Sequence, residues 1–415
     1  MSSTKTPDPK SCQDVVKAAK SLEAETIEMR RYFHEHPELS FHEVETAKVV
    51  ESKLSALGFK TKKGVGKTGV LGDLGRESSD KGAVTIAIRA DMDALPIDED
   101  KDRAYVSKNH GVMHACGHDG HMASALTAAK MFARGDLGDL KEMGAAVRMV
   151  MQPAEEFGDD EGRSGAYRML EDNALDGCAA IIGLHMDASL PAGQVAIMPG
   201  PVMAAVDGFI ITIKGKGGHG AYPEATIDAV VVASQVVQAI QQIVSRRVSA
   251  LDPAVITIGS FQSSSTRGNI ISDSVKLEGT FRTFDKQVRE VIMRELECAC
   301  GVARALGGDF EIKYELGYPA TVNDPEVAGI MRQAAIDLIG EKNVIVTKPK
   351  TWSEDFSMFA EKIPGAFMFL GAEMKGSRRE HHSPNFDLDE SGLYIGPAVL
   401  TETARRLMAH YKAKK

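Results

Sequence analysis

Ala83-Val-Thr-Ile-Ala-Ile88 runs without a break into Arg89-Ala-Asp91-Met-Asp93-Ala-Leu-Pro96, and this stretch sets the expected fold. Its first half is rich in β-branched residues and predicts a short strand, with two acids placed just beyond the strand's carboxyl end. The same arrangement recurs three times. Ala145-Ala-Val-Arg-Met-Val-Met151 precedes Gln152-Pro-Ala-Glu155-Glu156; Ala179-Ala-Ile-Ile-Gly-Leu184 ends at His185; and Ala366-Phe-Met-Phe-Leu370 is followed, within a loop, by Glu380-His381-His382-Ser-Pro384. In open parallel sheets ligands collect in the crevice outside the carboxyl ends of the strands. Chance would scatter such residues over both ends, so four strands feeding one edge predict an α/β fold with a mixed, largely parallel sheet flanked by helices.

Between the first two strands lies His114-Ala-Cys116-Gly-His118-Asp119-Gly-His121. Three imidazoles, a thiol and a carboxylate in so short a span make the composition of a transition-metal site. Cys116 and His118 share a side only in an extended chain. His118 and His121 suit the first turn of a helix, and Asp119-Gly120 before Met122-Ala-Ser-Ala-Leu126 reads as a helix start, so the motif belongs in a strand-to-helix loop. Cys116, His118, Glu155-Glu156, His185 and His382 are too many for one four-coordinate ion, and two metals sharing a bridge is the economical reading. In an extended segment adjacent glutamates point to opposite sides, so one can bind metal while the other faces the water.

Working outward, residues 14–35 read as one helix stopped by Pro37. Glu43 to Gly58 reads as a second, amphipathic helix. From Asp207 to Tyr318 the order changes to strand 209–214, helix 227–246, strands 255–262 and 275–282, helix 286–306 and strand 310–316. That β-α-β-β-α-β order is the ferredoxin-like unit. It predicts an inserted α+β satellite domain at 206–318 within a catalytic domain made of 1–205 and 319–415, which accords with a 415-residue chain being long for one core.

Composition narrows the partners. A net charge of -9 with 43% hydrophobic and 26% charged residues describes a soluble globular protein and argues against nucleic-acid binding, Ser245-Arg-Arg247 and Ser377-Arg-Arg379 reading as solvated ends or loops. The start of the chain lacks the apolar core of a secretory signal and no run could span a bilayer, so no membrane partner and a cytoplasmic location are expected. Five cysteines fit reduced thiols, Cys298 and Cys300 being read as packing residues. Gly215-Lys-Gly217-Gly-His-Gly220 matches a dinucleotide fingerprint, but Pro223 interrupts the required helix and no acid follows at the ribose distance, which argues against a nucleotide cofactor.

The ordered series His34-Glu-His-Pro-Glu38, Arg89 to Pro96, His114 to His121, Gln152 to Glu156, Gly218-His-Gly-Ala-Tyr-Pro223, Ser353-Glu-Asp-Phe356 and His382-Ser-Pro384 resembles the dinuclear metal aminoacylase and carboxypeptidase superfamily. The likeness is to its amidohydrolase branch, which includes hippurate hydrolases and indole-acetyl-amino-acid hydrolases, and covers nearly the whole chain. It departs at Phe157, where Gly is usual, and at Thr351-Trp352, where Met-Gly is common. The resemblance implies metal ligands at Cys116, His118, Glu156, His185 and His382, two divalent ions (Zn or Mn, with Co or Ni able to substitute) and a general base at Glu155. It also implies a homodimer through the satellite domain, with His219 reaching a partner's active site and substrate contacts from Asn269 and Arg282. Asp91 and Asp93 would orient the ligand imidazoles. The implied reaction is hydrolysis of the amide of an N-acyl or N-aminoacyl amino acid. A dipeptidase or carboxypeptidase and a non-catalytic binder of amino-acid conjugates are the rivals.

Overall fold

The computed structural model describes residues 9–75, 83–101, 103–376 and 379–415. The polar lead before residue 9 and the Ser377-Arg378 part of the second basic piece lie outside them. The chain divides into two compact units, one of Met1–Gly200, Val322–Lys348 and Met358–Lys415, the other of Pro201–Thr321 and Pro349–Ser357.

The first unit holds an eight-stranded sheet in the spatial order Lys60–Val65, Gly69–Leu74, Ala145–Gln152, Val84–Asp91, Cys178–Pro191, Gly365–Glu373, Val195–Ala196, Val344–Ile345. The four strands read from sequence are its centre and run parallel to one another. An antiparallel hairpin closes one side, and Val195–Ala196 joins antiparallel on the other. Every residue of Val84–Asp91 and Ala145–Gln152 is buried, as expected of strands covered on both faces. Helix His118–Ala133 is buried nearly all round. Its small residues Gly120, Ala123, Ser124, Ala128 and Ala129 let it lie close against the sheet and helix Ile395–Ala413.

Three sequence readings need correction here. Residues 14–35 form two helices, Pro9–Ser21 and Glu23–Glu35, because Leu22 turns inward to pack with Val15, Ala19 and Met131 and its N–H bonds back to Ala19 over three residues rather than four. The strand carrying His185 continues to Pro191 beside Gly365–Glu373, so His185 lies within a strand rather than at its end. Cys298 is exposed, and only Cys300 packs in the core.

The second unit has four antiparallel strands in the order Ala254–Ser263, Ser274–Thr283, Ala205–Lys214, Asp309–Leu316. Helices Ala229–Arg246 and Lys286–Cys300 pack Val236, Ile240, Ile292 and Leu296 onto Phe209, Ile211, Ile213 and Leu277. Asp228 and Asp285 cap their N-termini, and the second ends at Cys300, six residues earlier than expected. Gly218–His219 forms a two-residue ribbon with Ile270–Ile271. Pro223–Ala225 is a 3-10 turn, and the next helix starts at Ala229, not directly after the glycine-rich run.

Candidate metal centre

At the carboxyl end of Val84–Asp91, the Asp91 carboxylate accepts from Arg89 at 2.7 Å and from His121 Nδ1 at 2.6 Å. The other nitrogen of His121 accepts the Met186 N–H at 2.8 Å. Both ring nitrogens of His121 are therefore spent on protein groups, and this imidazole braces the site instead of offering a lone pair to it.

Gly117 turns the chain into the helix at φ 94°, where a Cβ would meet that of Met186 at 2.8 Å. His118 thus opens the first turn. Its Nδ1–H donates to the Asp93 carbonyl at 2.8 Å, which directs Nε2 inward. In the same way His185 Nδ1–H donates to the Met186 carbonyl at 2.6 Å and its Nε2 comes to 3.6 Å from Cys116 Sγ. The late loop delivers His382 at φ 59°, anchored by its N–H to the Ala115 carbonyl at 2.8 Å. His382 Nε2 stands 3.4 Å from Cys116 Sγ and 3.3 Å from Glu156 Oε1, whereas His381 Nε2 accepts the Ala188 N–H at 3.1 Å. Of the doublet it is His382 that meets the thiol.

The two glutamates follow Ala154, which has φ 47°, and lie in a bend instead of an extended segment. They do not diverge: oxygens of both carboxylates lie within 4.8 Å of His118 nitrogen and of each other. The Glu156 N–H donates to Asp93 Oδ2 at 3.0 Å, and Ser40 donates to the same oxygen at 2.6 Å. Sequence reasoning singled out neither Ser40 nor the bracing role of His121. Only the position of Met186 distinguishes that imidazole from its neighbours.

The electrostatics describe a site built for positive charge. Burial alone would push the Asp91 carboxyl up, but Arg89, His118 and His121 override it and hold it well below the usual range. Burial likewise opposes protonation of His118, yet Asp91, Asp93 and Cys116 outweigh it and raise the imidazole well above its ordinary value. Hydrogen bonds that the imidazole donates to Cys116 and Glu156 lift His382 to about 10. His185 moves the other way, with burial first and His121 next depressing it well below its ordinary value.

Donor identity and spacing fit divalent ions. Among the described residues His118 Nε2 is buried without a hydrogen-bond partner, and it stands 3.9 Å from Glu156 Oε1. Atoms bonded to one ion at about 2.0–2.3 Å are separated by roughly 3.3–3.8 Å, close to the spacings along His185, Cys116, His382, Glu156 and His118. Overlapping triads, Cys116-His118-His185, Cys116-Glu156-His382 and His118-Glu155-Glu156, share members as a two-ion centre requires.

The chain matches the model of peptidase family M20/M25/M40 over residues 87–406. It belongs to that family. It is 39% identical to the N-acetyl-L-cysteine deacetylase of Bacillus subtilis (strain 168), across 94% of this chain and 89% of that one. It is also 39% identical to thermostable carboxypeptidase 2 of Saccharolobus solfataricus, across 91% and 94%. A crystal structure of the Bacillus subtilis YXEP protein, described as a dinuclear metal binding peptidase of the M20 family, superposes with a TM-score of 0.80 at 35% identity, covering 94% of this chain and 99% of that one. This member of the family is a metal-dependent hydrolase.

His219, Asn269 and Arg282 belong to the second unit. There the Asn269 carbonyl accepts the Gly220 N–H at 2.9 Å, so His219 and Asn269 are neighbours on an exposed ribbon. The Arg282 guanidinium bonds the Thr280 hydroxyl and the Phe281 carbonyl, and burial depresses its pKa.

Proposed function

We propose that this protein hydrolyses the amide bond of N-acyl amino acids at the Cys116-His118-Glu155-Glu156-His185-His382 cluster. The observation that carries the reading is a buried carboxylate, Glu155, beside a donor set that already has a second carboxylate in Glu156. A purely structural ion has no use for such a base. Cys116, His118, Glu156, His185 and His382 are the residues that would hold two ions. The thiolate favours Zn, while the mixed nitrogen and oxygen donors accept Mn, Co or Ni. Bound divalent ions lower the pKa of a water and polarise the scissile carbonyl.

The chain's own groups do the rest. Glu155 takes the water's proton as oxygen adds to the carbonyl carbon, then gives it to the amine as the C–N bond breaks, leaving an acid and an amino acid. Asp93 fixes the His118 tautomer through its carbonyl and Glu156 through its carboxylate. We assign oxyanion stabilisation to His219 acting in a homodimer, and contact with the substrate's carboxylate to Asn269 and Arg282, whose guanidinium suits a bidentate grip. Among the described residues no helix is long and apolar enough to cross a membrane. We place the enzyme in the cytoplasm.

The carboxypeptidase relative favours a second reading, cleavage of dipeptides or peptide C-termini by the same site. Assay of the metal-loaded protein against N-acetyl-amino acids, N-benzoyl-glycine and simple dipeptides separates the two. Turnover confined to dipeptides would replace the first reading with the second, and no turnover of any member would leave a metal-bearing binder.

A further inference from the structure

Helix Val44–Ala56 begins beside two glutamates, and only one serves it. Glu38 accepts the N–H groups of Glu45 and Thr46 at 3.2 and 2.8 Å and so caps the first turn. Glu43 occupies the N-cap position itself, yet its side chain makes no cap bond. Ser, Thr, Asp or Asn would be the ordinary choice there. The Glu43 carboxylate is instead fully buried and reaches the segment just beyond the carboxyl end of strand Ala145–Gln152, where Oε1 accepts the Ala154 N–H at 2.8 Å and Oε2 accepts the Thr68 hydroxyl. Burial, with Asp93 adding to it, pushes this carboxyl up to about 7, so an acid is kept here at a cost.

The residue it holds is the unusual one. Ala154 adopts φ 47°, a left-handed conformation that a side chain disfavours, immediately before Glu155-Glu156. Its carbonyl accepts the Gly165 N–H at 2.8 Å, and Gly165 admits no side chain because a Cβ there would fall 1.6 Å from the Pro153 carbonyl oxygen. Two residues on, the Glu156 N–H is held by Asp93. The corner is thus gripped by Glu43 before the acidic doublet and by Asp93 within it. Without the first grip Ala154 would relax toward negative φ and both carboxylates would swing away from His118.

We propose that Glu43 is a positioning residue whose carboxylate holds Ala154 in its left-handed conformation and thereby aims Glu155 and Glu156 at the metal centre. It touches neither substrate nor ion and acts only through the backbone. This rests on the proposed roles of Glu155 and Glu156.

The test compares Glu43→Met, which keeps the bulk but removes both acceptors, with Glu43→Gln, which keeps an acceptor for Ala154, and with Ala154→Gly added to Glu43→Met. Three quantities are read: thermal midpoint, the Zn dissociation constant by competition with a chromophoric chelator, and kcat and KM on the best substrate of the panel. Loss of a group that orients a site typically costs about 10- to 100-fold in metal affinity or activity. The Met variant should lose kcat and Zn affinity on that scale with KM little changed and no matching fall in midpoint, since an apolar side chain suits the buried position. Glu43→Gln should restore most of both. Glycine enters the left-handed region freely, so Ala154→Gly should recover about fivefold or more of what Glu43→Met lost. A Met variant with unchanged kcat and Zn affinity, or losses that Ala154→Gly leaves untouched while the midpoint falls with them, would overturn the proposal. The Zn series stands without turnover, so an inactive wild-type protein would count against the proposed reaction and not against the positioning role.

Discussion

Glu155 and Glu156 are adjacent, share one bend and face one imidazole, yet the roles proposed for them part cleanly under substitution. Glu155→Gln removes a proton acceptor and should leave metal content intact while activity drops by at least about 10²- to 10⁴-fold, equivalent to roughly 3 to 5 kcal/mol of barrier. Glu156→Gln replaces a carboxylate ligand with a poorer neutral one and should lower metal occupancy. Elemental analysis and turnover measured on both decide it, and metal loss from the first variant with retention by the second would reverse the assignment. The residue types here were legible in the sequence because thiol, imidazole and paired carboxylates rarely gather without a site. Their geometry was not. Alternation along an extended segment was expected, whereas Ala154 bends the chain at φ 47°, and an alanine gives no sign that it will do so. Nor does composition reveal that His121 is a brace, since its two nitrogens are claimed by groups distant in sequence.

At the scale of elements, a buried set of charges joins helix Glu23–Glu35 to the start of helix His118–Ala133 and to the segment after His382. Arg30, fully buried, reaches Asp119 at 2.8 Å, Asp387 at 3.0 Å and Glu390 at 3.2 Å. His34 contacts Asp119 at 2.8 Å and Glu99 at 2.9 Å. Arg30→Met would strand those carboxylates, and removing one partner of a buried pair costs about 3–5 kcal/mol. Urea unfolding should show it, and a midpoint unchanged within error would refute it. His34 also carries a pH signature. Burial and Arg30 press its pKa down, the bonds it donates to Asp119 and Glu99 press it up, and the net value is raised. Arg103, 3.4 Å from Glu99, the Tyr105 ring, 5.7 Å from the imidazole, and the buried His114 also face this group. A raised histidine stabilises fully below its unfolded pKa of about 6.5 and loses that contribution as pH rises through the folded value. The thermal-midpoint gap between wild type and His34→Gln should therefore be widest at mildly acidic pH and narrow on the alkaline side; a gap that grows with pH contradicts the assignment. The four central strands of the first unit and the four sheet strands of the second were readable from β-branched runs, and the ferredoxin-like order from their alternation with periodic helices, whereas Lys60–Val65, Gly69–Leu74, Val195–Ala196 and Val344–Ile345 were not read as strands. The break at Leu22 was not readable either, because helical periodicity continues through it while the packing partner, Met131, comes from a different helix.

For the whole molecule, the second unit presents strand Ala254–Ser263 at the edge of its sheet, with Val255 46% and Phe261 43% exposed. An unpaired edge carrying apolar side chains invites pairing, and a symmetric dimer is the ordinary solution. Light scattering at assay concentration should give twice the chain mass, and Phe261→Lys should shift it toward the monomer with circular dichroism unchanged. A fully active monomeric wild type would remove both the dimer and the role given to His219. The proposed ligand set has a different reach along the chain: Cys116 and His382, in contact through sulfur and nitrogen, are 266 positions apart. A ribosome releases those two residues at widely separated times, with the whole second unit made in between. On that ligand set a nascent chain would not complete the centre until the loop carrying His382 had emerged, so metal capture would follow synthesis of the second unit rather than accompany it.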